Sequence, residues 1–291
     1  CRTPGARFFP RRPLTPPQID AVRAALLRWK VVFFRDQNLD HRQHIAAARQ
    51  FGETTAGHVV YGSDGEYPQI YSVAKHRKAN RFQGQTLFRP WSGWHTDITA
   101  AINPPAASIL RGDIVPPYGG DTQFTNLVAA YNALSPTMRA FVDGLRGVHR
   151  FAPPPGVDET PEYRELMRKR TLVSEHPIVR VHPETREPAL FVSPSFLKSI
   201  VGLSARESQV LLEFLWEHVV RTEFTVRFRW QPGSVAFWDN RATAHLAPRD
   251  IFDSDFDRQF YRVTLVGDVP VGLDGKPSTA SLLDVLGPWP W

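Results

Sequence analysis

Phe237-Trp238-Asp239-Asn240-Arg241-Ala242-Thr243-Ala244-His245 is a strand end, a polar turn and a histidine. The apolar run at 234–238 is one of eight stretches whose β-branched and aromatic content predicts strands. The others are 69–73, 106–114, 145–151, 178–181, 189–192, 224–230 and 259–266. Val31-Val32-Phe33-Phe34 reads as a further, buried strand. Turn residues separate these runs, as in Pro116-Pro117-Tyr118-Gly119-Gly120 and Gln231-Pro232-Gly233.

Helices are few, and their starts are marked. Thr15-Pro16-Pro17-Gln18, Asp40-His41-Arg42-Gln43 and Ser204-Ala205-Arg206-Glu207 each place a capping residue three positions before Gln or Glu. The predicted apolar stripes are Val22, Ala25, Leu26 and Trp29; Ile45, Ala48 and Phe51; and Val210, Leu211, Phe214 and Leu215. Many strands with few helices predict a mainly β fold, an antiparallel sandwich or barrel with helices packed outside.

The chain has 291 residues, 42% hydrophobic and 22% charged, the mix of a globular protein with a substantial core. We read one domain over 1–291, with 1–13 and 271–291 peripheral and the Pro- and charge-rich insert 153–169 as a candidate lid. No apolar run reaches the ~18 residues of a membrane span, and the first residues lack a secretory apolar stretch. No membrane association and a cytoplasmic location are expected. The one cysteine, Cys1, allows neither an internal disulfide nor a cysteine-based zinc site. Net charge is +6, but 29 Arg and 6 Lys are scattered outside any nucleic-acid motif, so no nucleic-acid partner is expected.

Three constellations carry chemistry. In extended chain, His95 and Asp97 of Trp94-His95-Thr96-Asp97 face one side, so both can reach one cation. His245 follows 148 positions after Asp97. Two histidines and a carboxylate make the three-ligand face that leaves a metal's opposite positions open. Arg258 and Arg262, four apart in a predicted strand with Thr264, share a face; turned inward, they require anions.

With these motifs in view, the chain resembles the taurine dioxygenase family of Fe(II)/2-oxoglutarate-dependent oxygenases. The matching segments are Trp94-His95-Thr96-Asp97, Tyr118-Gly119-Gly120-Asp121-Thr122, Glu175-His176-Pro177, the stretch from Trp238-Asp239-Asn240-Arg241 to His245, and Arg262 through Gly267-Asp268. The similarity spans about 14–270. It implies a double-stranded β-helix (jelly-roll) core, Fe(II), 2-oxoglutarate as co-substrate and O2. By motif position, His95, Asp97 and His245 resemble the iron ligands. Arg258 resembles the arginine that binds the distal carboxylate of 2-oxoglutarate, with Thr122 assisting. Arg258 follows His245 by 13 positions, slightly more than in the taurine enzymes, so the loop 248–257 absorbs an insertion.

The resemblance also implies a substrate-anion site at His58, Arg262 and the Ile98 amide, lined by Phe151 and Phe196, with Tyr61 three residues after His58. Taurine enzymes carry a polar stretch before the His-x-Asp motif; here it is Phe88-Arg89-Pro90-Trp91-Ser92-Gly93, and Trp91 offers apolar contact instead. Segments such as Glu175-His176-Pro177-Ile178-Val179-Arg180-Val181-His182-Pro183-Glu184-Thr185 resemble the alkyl sulfatase branch. The expected partner is a small anionic organic molecule: an alkyl sulfate ester first, taurine or another alkylsulfonate second, an aryloxyalkanoate third. A non-catalytic anion-binding β-barrel is the competing class. A homo-oligomer is expected.

Overall fold

The computed structural model describes residues 13–58, 62–75, 89–151, 172–247, 250–251 and 254–280. The candidate lid 153–169 and Tyr61 lie outside the described residues, as do most of the segments read as peripheral.

Helix α1 (Pro16–Trp29) and helix α2 (His41–Arg49) begin at Thr15 and Asp40 with both halves of a capping box in place. They lie against the outer face of a five-stranded sheet, with order β1 (Val31–Phe34), β11 (Val235–Asp239), β3 (Ala107–Ile114), β13 (Arg258–Leu265), β2 (Tyr71–Lys75). A three-stranded sheet, β10 (Thr225–Phe228), β4 (Thr122–Asn126) and β12 (Thr243–Leu246), faces its other side. Its pairings, like those of the large sheet, are antiparallel.

Between the two sheets lie Leu110, Phe124, Phe228, Trp230, Ala236, Trp238 and Phe260. Phe33 stacks on Phe228 at 4.0 Å, and Trp230 meets Phe260 edge-on at 4.6 Å. Alternation along each strand sends Ile109, Val235, Phe237 and Val263 the other way, onto α1 and α2. These two facing sheets are the antiparallel sandwich that the strand count predicts and the jelly-roll core that the resemblance implies.

A second layer carries the rest of the site. Strands β14 (Thr279–Ala280), β6 (Val173–Pro177), β5 (Arg146–Arg150) and β9 (Leu197–Ile200) form one sheet, and β7 (Val179–Val181) pairs with β8 (Pro188–Leu190). Helices α3 (Leu127–Asn132), α4 (Pro136–Val142) and α5 (Ala205–Val219) complete it. At Gly267 an added Cβ would lie 1.7 Å from the Pro104 carbonyl, so the crossing after β13 admits only glycine there.

Some sequence expectations change. Trp29 is 62% exposed, while Val22 and Leu26 form the buried face of α1. On α5 the core takes Leu211, Leu212, Leu215 and Val219 and leaves Val210 and Phe214 in solvent, because α3 and β9 approach from one side only. Strand β1 is half-buried, since it closes an edge of the large sheet. The predicted strand 224–230 splits into a 3-10 turn, Thr222–Phe224, and β10. Among the described residues no helix is long and apolar enough to cross a membrane.

Candidate active site

Strand β11 delivers Asp239 to a turn that the side chains make rigid. Asp239 accepts from the Arg241 backbone N–H at 2.9 Å and from its guanidinium at 2.7 and 2.9 Å. It also meets His182 Nε2 at 2.9 Å, and Arg241 reaches on to Glu184 at 2.8 Å. The His182-to-Glu184 part of the segment resembling alkyl sulfatases thus clamps the turn ahead of β12. His245, on β12 opposite Phe124, is flanked by the rings of Trp238 at 4.8 Å and Phe124 at 6.0 Å.

The two histidine-bearing segments are tied together. His95 N–H donates to the His245 carbonyl at 2.9 Å, and His245 N–H returns to the His95 carbonyl at 2.7 Å. Thr96 Oγ1 donates to the Thr243 carbonyl at 2.8 Å. One ligand atom each from His95, Asp97 and His245 then lie within 4.8 Å of one another. Asp97 Oδ1 stands 3.9 Å from both His95 Nε2 and His245 Nε2. His95 Nδ1 faces the Gly93 carbonyl at 3.0 Å; a carbonyl only accepts, so Nδ1 carries the proton and Nε2 presents its lone pair.

Electrostatics favour the same states. Burial lowers the pKa of His95, and lowers that of His245 to about 3, so both imidazoles stay neutral. Burial alone would raise the Asp97 carboxyl. Arg262, then the two imidazoles and the Ser108 hydroxyl, outweigh it and hold Asp97 well below the usual carboxylate range. Two neutral imidazoles and an ionised carboxylate are the donor set that a divalent transition metal takes, and these residues fit one.

The two arginines of β13 stand in different surroundings. Arg258 is buried with its guanidinium 3.7 Å over the Phe260 ring and one N–H on the Gly120 carbonyl at 3.3 Å. Gly120 holds φ +67°, a conformation that glycine adopts freely. Burial lowers the Arg258 pKa to about 10, and its Nε finds no partner among the described residues. A buried cation with spare donors fits a carboxylate co-substrate. Thr122, two residues beyond Gly120, accepts from Trp230 Nε1 at 2.9 Å and keeps its own hydroxyl proton for another acceptor.

Arg262 donates to Asp97 Oδ1 at 2.5 Å and sits 5.2 Å from the Tyr71 ring. From there a run of rings curves around the site. Tyr71 lies 4.9 Å from His58, His58 lies 6.0 Å from Phe151, Phe151 lies 5.7 Å from Phe196, and Phe196 lies 6.4 Å from His95. His58 is buried, and burial with Arg262 nearby lowers its pKa to about 3. His58, Arg262, Phe151 and Phe196, scattered in sequence, are thus brought together. Trp91 packs elsewhere: its ring contact among the described residues is Trp216 of α5, at 6.1 Å.

Ile98 is buried among Ala100, Ala101, Phe151, Leu172 and Phe196 at φ +46°, a strained value for a β-branched residue. The turn that holds it is pinned from below. His176 Nε2 meets the carbonyls of Thr99 at 2.8 Å and Ala101 at 3.1 Å, Ser174 Oγ donates to the Ala100 carbonyl at 2.8 Å, and His149 Nδ1 pairs with Thr99 Oγ1 at 2.9 Å. The Ile98 N–H has no hydrogen-bond partner among the described residues.

Sequence reasoning named neither Tyr71 nor Ser108, and it did not pair Arg262 with Asp97. The pairing of Tyr71 with Arg262 across β2 and β13 is the signal that a correct strand register would have supplied.

A jelly roll whose two histidines and one carboxylate converge beside inward arginines defines a metal-dependent oxygenase class. The model of the taurine catabolism dioxygenase TauD, TfdA family matches residues 3–264, and the chain belongs to that family. It is 40% identical over 269 residues to an α-ketoglutarate-dependent sulfate ester dioxygenase of Pseudomonas putida, covering 89% of this chain and 84% of that protein. With an alkylsulfatase of Acinetobacter baylyi it shares 36% identity, covering 91% and 81%. The crystal structure of a putative α-ketoglutarate-dependent taurine dioxygenase from Burkholderia xenovorans superposes with a TM-score of 0.83 at 63% identity, covering 96% of this chain and 90% of that one.

Proposed function

We propose that the protein is an Fe(II)/2-oxoglutarate-dependent dioxygenase that hydroxylates the carbon next to the sulfo group of an alkyl sulfate ester. The hydroxylated carbon then sheds sulfate and becomes an aldehyde. Bound at His95, Asp97 and His245, iron with 2-oxoglutarate and O2 supplies the oxidising equivalent, and succinate and CO2 are the co-products. Arg258 pairs with the distal carboxylate of 2-oxoglutarate, and Thr122 donates to it.

The observation that carries this reading is the ring of Arg262, His58, Phe151 and Phe196 against the His95 side of the triad. Arg262, His58 and the Ile98 N–H hold the sulfate, while Phe151 and Phe196 exclude water and guide the alkyl chain. Fixing the anion presents the adjacent carbon to the metal face. The Pseudomonas and Acinetobacter relatives, named for sulfate esters and alkyl sulfates, support the substrate class.

A short alkylsulfonate such as taurine is the second reading, favoured by the 63% identical Burkholderia protein described as a putative taurine dioxygenase. Oxygen consumption with Fe(II), 2-oxoglutarate and a panel of medium-chain alkyl sulfates, taurine and aryloxyacetates decides between them. Faster and tighter turnover of taurine overturns the sulfate ester, and activity on aryloxyacetates alone overturns both. The reading extends to a homo-oligomer in the cytoplasm, supported by the exposed Val210 and Phe214 and by the single cysteine. Sedimentation and cell fractionation test these two points.

A further inference from the structure

Behind Asp97 a chain of three buried side chains runs in one direction only. Trp238 Nε1 meets Asn240 Oδ1 at 2.8 Å, Asn240 Nδ2 meets Ser108 Oγ at 2.8 Å, and Ser108 Oγ meets Asp97 Oδ2 at 2.6 Å. Their relative exposures are 0 to 1%, so no bulk water offers an alternative partner.

The donor inventory fixes every proton. An indole N–H only donates, so the Asn240 atom facing Trp238 is the carbonyl oxygen and its NH2 group points at Ser108. Ser108 Oγ accepts that bond, and its own proton goes to the ionised Asp97 Oδ2. Ser108 cannot drift, because it sits in the middle of the large sheet, opposite Trp238 on one side and Thr264 on the other.

We infer that the Ser108 hydroxyl, aimed by Asn240, fixes the orientation of the Asp97 carboxylate that turns Oδ1 toward the two histidine Nε2 atoms. Oδ2 accepts from Ser108, while Oδ1, which accepts from Arg262 Nη1, is the oxygen 3.9 Å from both histidine Nε2 atoms. Ser108 and Asn240 are therefore positioning residues, acting through Asp97. The inference rests on the proposed metal-dependent function and deepens it.

The test measures Co(II) and anaerobic Fe(II) affinity of the full chain by competition with a chelator, alongside the melting temperature of the metal-free protein. Ser108→Ala should weaken metal binding 10- to 100-fold, the range for an outer-shell partner of a metal ligand. Ser108→Thr, which keeps the hydroxyl, should restore most of it. Asn240→Leu should weaken binding less, and the double variant should be no weaker than Ser108→Ala, because the two act in series. If Ser108→Ala does not fold, Ser108→Thr and Asn240→Leu carry the comparison. Metal affinity equal to the parent's in Ser108→Ala overturns the inference, and so does a Ser108→Thr that folds but stays as weak as Ser108→Ala. A parent chain that binds neither metal overturns the functional reading itself and this inference with it.

Discussion

Arg262 Nη1 and Asp97 Oδ1 are 2.5 Å apart, across 165 positions of sequence, and both side chains are buried. The arginine read as the substrate's anchor is thus also the cation that most favours an ionised Asp97. A sulfate bound by Arg262, as proposed, would lie next to Asp97.

Arg262→Met should raise the KM for an alkyl sulfate by about ten- to a hundredfold, the equivalent of a charged hydrogen bond worth roughly 1.5–3 kcal/mol. The requirement for 2-oxoglutarate should change far less. Steady-state kinetics with each substrate varied in turn checks this; equal losses for both would place Arg262 outside the sulfate site.

Arg258→Ala should show the converse pattern. Its guanidinium is buried with Nε unmatched among the described residues, so 2-oxoglutarate should lose about ten- to a hundredfold in affinity. Binding followed by calorimetry reads the effect directly. An unchanged affinity would assign the carboxylate to another basic residue.

His95→Ala should abolish 2-oxoglutarate turnover while the fold persists, because His95 is only partly buried and its backbone pair with His245 does not need the ring. The parent should gain ~2.7 kcal/mol of stability at Fe(II) concentrations 100 times the dissociation constant. The variant's thermal transition should not respond to the metal at that concentration.

Alkyl chain length should be felt through the Phe151 and Phe196 walls. Each fully buried CH2 contributes roughly 0.8 kcal/mol, about fourfold in affinity, until the walls end. Phe151→Ala should flatten that dependence across a homologous series of alkyl sulfates. A series that is already flat in the parent would remove these rings from the substrate path.

Acid should destabilise the fold through two buried histidines. Burial, with Arg111 close to His44 and Arg180 close to His176, lowers both histidines from the usual 6.5 to about 3. Between those values the unfolded chain takes up protons that the folded chain refuses. Stability is therefore full above pH 6.5 and falls as pH drops toward 3. Urea midpoints between pH 7 and 4 should show the decline, and His44→Gln should make it shallower.

The sequence by itself marked three helix starts, the strands of the large sheet and the candidate metal ligands, but not β4 or β12. Capping boxes at Thr15, Asp40 and Ser204 act within four residues, so helix starts were legible. His95, Asp97 and His245 were legible because ligation demands particular residue types at a particular spacing, which the family resemblance identified. What lies across space was not. Trp29, Val210 and Phe214 are apolar residues on helices, yet only the neighbours that pack on each helix decide which of its faces is inside. Ser108 and Asn240 are 132 positions apart, and Tyr71 faces Arg262 only through the β2–β13 register. Such contacts depend on strand pairing and side-chain direction set by the whole sheet, so the network that aims Asp97 and the rings that enclose the site belong to the tertiary structure alone.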